Sequence, residues 1–308
     1  MALFILLADP ITKDVRRRCL EKDNPVQAEQ LTEAIATHGE GPIWDEAGAC
    51  LRWVDMHRGD VLTLRPSGQI DRLHVGDVAA AIRPRAGGGL VVAVERGFAL
   101  VDSGGRVGRE RTAFSDARCR MNDGGVDRQG RFFCGSMAHT MTDPIGALYR
   151  LDPGGEISVV LDRVTVSNGI AWSADGTVMY YIDSPSQRVD VFDYDTCSGM
   201  PVERRPHVRV SEAAGLPDGM ALDAEGGTWV ALWGGHAVHR YGCDGRLDAV
   251  IDLPADLVTA CAFGGSRLDE LFITTSRDGL PPGAQPAAGA IFRVLPGVRG
   301  LPCGAFAG

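Results

Sequence analysis

One short unit recurs along this chain at intervals of about forty-five residues, and no other feature limits its possible folds so sharply. The unit is an apolar run that ends in an Asp- or Gly-containing turn and resumes as a second β-rich run. Clear copies are Ile43-Trp-Asp-Glu-Ala-Gly48 before Leu51-Arg-Trp-Val54, and Gly125-Val-Asp-Arg-Gln-Gly130 before Arg131-Phe-Phe-Cys134. Two more are Ala171-Trp-Ser-Ala-Asp-Gly176 before Val178-Met-Tyr-Tyr-Ile182, and Ala221-Leu-Asp-Ala-Glu-Gly226 before Thr228-Trp-Val-Ala231. Fainter copies pass through Gly87-Gly-Gly89, read as a hairpin turn, and through Cys261-Ala-Phe263. The first turns then fall near positions 45, 85, 127, 173, 223 and 264, spaced 40 to 50 residues apart.

A meander of three or four short strands cannot bury both of its faces alone. Radial packing of such units does so and leaves only short, protected edges. The expected fold is therefore all-β, a six-bladed β-propeller; a β-sandwich is the competing architecture, and it rarely yields six copies of one strand–turn–strand unit. Residues 1–27 read as an N-terminal extension and residues 28–308 as one propeller domain. Within the extension, residues 11–24 are partly amphipathic, and Pro25 would end any helix there. Residues 28–36 are β-compatible and are expected to pair with strands near 290–295, so that both chain ends build the last blade.

Composition narrows the function. The net charge is −9, from 31 basic and 40 acidic residues, and no basic stripe of the kind that binds nucleic acid is present. The one dense basic run, Arg16-Arg17-Arg18, sits beside Glu21 and Asp23. No stretch approaches the length of a membrane span. The apolar start, Met1 to Ala8, lacks a basic leader and a small-residue cleavage site, and reads as a retained tail. Eight scattered cysteines without a CxxC pair suit a reducing compartment, so a cytoplasmic protein is expected, monomeric or weakly homo-oligomeric.

Four copies carry polar residues at the start of the first strand that a purely structural repeat does not require. They are Glu40 in His38-Gly-Glu-Gly-Pro42, Asn122-Asp123 in Arg120-Met-Asn-Asp-Gly124, Asn168 in Val166-Ser-Asn-Gly169 and Asp218 in Leu216-Pro-Asp-Gly-Met220. Each alone is an ordinary turn signal. Together they occupy equivalent places in four blades, and a propeller gathers such places around one axis. Carboxylates converging with an amide oxygen are costly unless they hold a cation. An all-oxygen set suits Ca2+, Mg2+ or Mn2+, with Zn2+ or Fe2+ possible in an open site.

These segments, in this order and spacing, resemble the SMP-30/gluconolactonase/LRE family. The likeness is carried by Gly39-Glu-Gly-Pro-Ile-Trp44, residues 120–137, Ser167-Asn-Gly-Ile-Ala-Trp172, Tyr180-Tyr-Ile-Asp-Ser184, Pro217-Asp-Gly-Met220 and Gly289-Ala-Ile-Phe292. It implies a six-bladed propeller lactonase with one divalent ion on Glu40, Asn168 and Asp218. It also implies that Arg120 and Asn122 face the hydroxyl groups of a sugar lactone, the expected small-molecule partner. One departure concerns substrate choice. Members of the family carry an acid shortly after the Gly-Thr-Met stretch, whereas here Gly135-Ser-Met137 is followed by Ala138-His139-Thr140.

The expected chemistry is metal-assisted lactone hydrolysis, with Asp218 accepting the proton of the attacking water and Arg120 and Asn122 orienting the ring. The chain has no GxSxG, HExxH or GxxxxGK[ST] motif. His236 and His239 lie in a strand region at a spacing that opposes them, and His38 is either a support for a metal ligand or a plain loop residue. The reading from a different class is a calcium- or ligand-binding propeller without significant catalysis.

Overall fold

The six expected first turns are turns. Reverse-turn hydrogen bonds close them at Glu46–Ala49, Arg85–Gly88, Asp127–Gly130, Ser173–Gly176, Asp223–Gly226 and Gly265–Leu268. The computed structural model describes residues 28–308, which form short strands and three single turns of 3-10 helix. The partly amphipathic stretch 11–24 and the basic run at 16–18 lie outside the described residues. Among those described, no helix is long and apolar enough to cross a membrane.

The strands sort into antiparallel meanders of four, here numbered blades 1 to 6 in chain order. Their first strands are Gly39–Asp45, Ala79–Pro84, Cys119–Val126, Ser167–Trp172, Leu216–Leu222 and Leu257–Gly264. Each first strand packs against that of the next blade, and the sixth returns to the first, closing a ring about a central axis. The chain is a β-propeller. Between the blades lie buried aromatic and aliphatic side chains, among them Trp53, Trp229, Phe132 and Phe133. Each such side chain contributes roughly 1.5–3 kcal/mol by leaving water.

The Asp in the repeated turn is a structural device. Asp127 Oδ1 accepts from the amides of Gln129 and Arg131, and its Oδ2 accepts from Arg131 Nε and the Tyr194 hydroxyl. Asp223 repeats the pattern with the amides of Glu225 and Gly227, Trp229 Nε1 and Arg240 Nε. Each carboxylate ties the first strand to the second and offsets a buried guanidinium.

Both chain ends complete blade 6. Glu29 pairs with Arg293 and Gln30 with Phe292, so the strand Glu29–Gln30 extends the strand Ile291–Val294. The expected pairing is present but short, because the chain after Gln30 leaves the ladder. It holds on through Leu31 N to Ile291 O and through Thr32 Oγ1, which accepts from Ile291 N. At the end of the axis reached by the C-terminal halves of the first strands, the chain terminus crosses the ring. Ala224 N bonds Arg299 O, Leu301 N bonds Leu222 O, and Phe306 N bonds Pro84 O. Phe306 is buried there, and residues Leu301 to Ala305 roof a cavity of about 430 Å³.

Candidate functional site

All six first strands share one irregularity. The ladder to the second strand gains an extra residue at Glu40–Ile43, Ala79–Ala81, Met121–Gly124, Asn168–Ile170, Pro217–Met220 and Val258–Ala260. A bulge turns a side chain out of the strand's alternation and bends the strand, which is why bulges gather beside active sites. The equivalent residues in the six blades are Glu40, Ala80, Asn122, Asn168, Asp218 and Thr259, all buried. Glycine follows Asn168 and Asp218 because neighbouring strands come close: a Cβ on Gly169 would lie 2.9 Å from Asp218 O, and one on Gly219 would lie 2.5 Å from Ala260 Cβ.

Asn122 thus holds the repeat position in blade 3, and Asp123 lies one residue beyond it. Glu40, Asp123 and Asp218 bring three carboxyl groups into one buried zone, with hydrogen bonds from the amides that follow them: Gly41 N to Glu40 Oε2 at 2.7 Å and Gly124 N to Asp123 Oδ1 at 2.6 Å. Burial, then the charge of Asp123, pushes the Glu40 carboxyl up to about 8. Burial, then Glu40 and Asp123, raises Asp218 well above the ordinary carboxylate range. Burial also raises Asp123, against the opposing charge of Arg83. Each carboxyl group resists ionisation beside the others, and a cation would relieve all three.

A relay of side chains joins blades 3, 4 and 5 around this zone. Arg120 Nη1 donates to Asn122 Oδ1 at 2.6 Å. Asn122 Nδ2 donates to Asn168 Oδ1 and to Ser167 O, each at 2.8 Å. Asn168 Nδ2 donates to Ser184 Oγ at 2.7 Å, and Ser184 Oγ donates to Pro217 O at 2.6 Å, one residue before Asp218. Asn168 Oδ1 keeps one lone pair for another partner. Asn122 is therefore bonded into the frame around Asn168, a relationship that reading it as a substrate contact alone did not anticipate.

Arg120 leads from the ring to the open end of the channel. It also donates to Met121 O at 2.9 Å and touches Met56 Sδ, and burial lowers its guanidinium against the pull of Glu40 and Asp218. At the open end stand His38, His57, Asp278 and Trp233, with the His38 and His57 rings 4.7 Å apart, edge to face. His38 is buried and bonded through Nδ1 to Ser276 Oγ at 2.9 Å. The other two histidines singled out have separate partners: His236 Nδ1 lies 2.7 Å from Asp256, and His239 lies beside Tyr241. His57 and Asp278 carry no repeat signal: His57 lies in the 3-10 turn Met56–Arg58 and Asp278 in the loop after the strand Glu270–Ser276.

Thr140 is exposed, on the loop that follows the strand Phe132–Ala138. Its hydroxyl donates to Asp143 Oδ2 at 2.9 Å, so a carboxylate does stand next to this position, three residues later than expected. The described cysteines are free thiols.

The matches to known proteins follow this geometry. The model of the SMP-30/Gluconolactonase/LRE-like region matches residues 38–277, which include every residue of the ring. Regucalcin of Oryctolagus cuniculus is 35% identical over 283 residues, covering 88% of this chain and 95% of its own length. Among solved structures, a luciferin-regenerating enzyme superposes with a TM-score of 0.83 at 30% identity, covering 92% of this chain and 99% of its own. Regucalcin of Agrobacterium tumefaciens, described as a calcium-binding protein, gives 0.86 at 26% identity, covering 91% and 97%. With its ring of bulged strands and this extent of match, the chain belongs to the SMP-30/gluconolactonase/LRE-like family.

Proposed function

We infer that this protein is a metal-dependent hydrolase that opens a sugar-derived aldonolactone to the aldonic acid. The observation that carries the reading is the crowding of Glu40, Asp123 and Asp218 in one buried zone beside Asn168, with Arg120 at its open side. The donors fit a divalent cation: hard oxygens, buried, with an excess of negative charge. Glu40, Asn168 and Asp218 are the proposed ligands, and Ca2+, Mg2+, Mn2+, Zn2+ and Fe2+ are the candidates; the description of the Agrobacterium relative as calcium-binding favours Ca2+ among them.

When bound, such an ion supplies Lewis acidity toward a carbonyl oxygen. The chain's own residues do the rest. Arg120 and Asn122 hold the sugar hydroxyls, so that the ring is presented in one orientation. Asp218 takes the proton of the attacking water at a carboxylate oxygen. Burial of the ring keeps bulk water out and strengthens each of these interactions. The free thiols support a cytoplasmic location.

The test is acid release from a panel of aldonolactones with the metal-loaded chain, with chelator, and with Asp218→Ala and Glu40→Ala. Turnover abolished by chelator and by either substitution, with the fold retained, supports the reading. Tight ion binding with no turnover on any lactone would instead indicate an ion-binding propeller without catalysis.

A further inference from the structure

Among the described residues, one group of His, Cys, Asp or Glu side chains brings three ligand atoms within 4.8 Å of one another: His38, His57 and Asp278. It is separate from the carboxylate ring and uses none of its residues. We propose that these three form a second cation site, suited to a borderline ion such as Zn2+ or Co2+, which ties blade 1 to blade 6 at the open end of the channel.

The donor chemistry supports this. Two imidazoles and a carboxylate match zinc and its neighbours, whereas Ca2+ and Mg2+ prefer six or more oxygens. His38 is held as a ligand is usually held. Its Nδ1 is bonded to Ser276 Oγ, which leaves the other ring nitrogen for an ion, and a partner on the second nitrogen is the usual support for a metal-bound histidine. Asp55 fixes the backbone beneath it, accepting from the amides of Thr37 and His38 at 3.0 and 3.1 Å. The Asp278 amide bonds the same Ser276 Oγ, so one hydroxyl positions both a histidine and the carboxylate.

The geometry requires a small contraction. Bonds of about 2.0–2.1 Å in a tetrahedral site set donor atoms about 3.3 Å apart. His57 Nε2 and Asp278 Oδ2 are 3.8 Å apart, and these side chains are 38% and 50% exposed, free to close on an ion. Arg120 opposes a cation here, while Asp278 and Asp55 act on His57 in the opposite sense. With three protein ligands, a fourth position stays open toward the channel mouth.

Equilibrium dialysis of the metal-stripped full-length chain against Zn2+ and against Ca2+, with bound metal counted per chain, tests the proposal. Two bound Zn2+ are expected for the unaltered chain. One is expected for His57→Ala or Asp278→Asn, and one for the Glu40→Ala/Asp218→Ala double variant. With Co2+, the visible absorption of a tetrahedral site should persist in the double variant and vanish in His57→Ala. Asp278→Asn keeps the shape of the side chain and covers the case in which His57→Ala does not fold. Equal zinc content in the unaltered chain, His57→Ala and Asp278→Asn overturns the proposal, whatever the outcome for lactone turnover.

Discussion

Asn122 Nδ2 donates to Asn168 Oδ1 across the gap between blades 3 and 4, at 2.8 Å. The bond fixes which face of the Asn168 amide looks into the ring, and Ser184 secures the other end of that amide. Removing a partner that orients a metal ligand commonly costs ten- to a hundredfold in affinity or activity. Asn122→Ala is therefore expected to weaken divalent-ion binding by about 10- to 100-fold, measured by titration calorimetry on the metal-free protein. A rise in KM with ion affinity unchanged would mean that Asn122 acts on the substrate alone.

The charge crowding at the ring makes the metal-free protein sensitive to pH in a defined direction. Glu40 is raised from 4.5 to about 8, so its carboxyl binds a proton more tightly in the folded chain than in the unfolded one. The stability tied to that proton is complete below about 4.5 and is lost as the pH rises through about 8. Asp218 is shifted in the same direction. The melting temperature of the metal-free protein should fall between pH 5 and 8, more steeply than that of the ion-saturated protein. Glu40→Gln should flatten the fall. A metal-free chain equally stable across that range would contradict the assignment of these carboxyls as mutually repelling.

Closure of the ring rests on few residues at the N-terminal side. Glu29 and Gln30 supply the ladder, Thr32 Oγ1 accepts from Ile291 N, and Arg293 pairs with Glu29 at 2.9 Å. Deleting residues 1–22 leaves all of them in place and is expected to preserve solubility and melting temperature. Deleting residues 1–36 bares the strand Ile291–Val294 as an open edge, which is expected to cause aggregation. Light scattering on the two truncations decides it, and equal behaviour would argue against this closure.

Substrate preference is expected to depend on the loop at position 140. Thr140 holds Asp143 by a hydrogen bond, at the place where the family resemblance leads one to expect an acid. Thr140→Glu both restores that acid and releases Asp143. A hydrogen bond to a charged group is worth about 1.5–3 kcal/mol, so the ratio of kcat/KM between glucono- and pentonolactones should shift by roughly 10- to 100-fold. The unaltered protein is expected to prefer a lactone other than glucono-δ-lactone, or to accept several. Sharp selectivity for gluconolactone, unmoved by the substitution, would show that position 140 does not govern choice.

Much of this molecule was legible in the chain because its turns are chemically marked. Asp127 and Asp223 cap their own turns, so these two blades announce where their first strands end. The ring was legible only in part. Asn122 and Asp123 are adjacent, and which of them points to the axis depends on a bulge, an offset between two strands that no single strand's sequence displays. His57 and Asp278 escaped notice for a different reason. They meet through a 3-10 turn of the first blade and a loop of the last, far apart in the chain and outside the repeat.

The chain terminus that crosses the far end of the axis makes the two ends of the channel unequal. Leu301 to Ala305 lie over one end, while Arg120, His38 and Trp233 stand at the other. Under the proposed function, reactant and product would both pass the end lined by Arg120. A neutral lactone would enter past Arg120, and an anionic acid would leave past the same guanidinium, which attracts it. Departure of the acid, more than ring opening, is therefore the step expected to limit throughput as product accumulates.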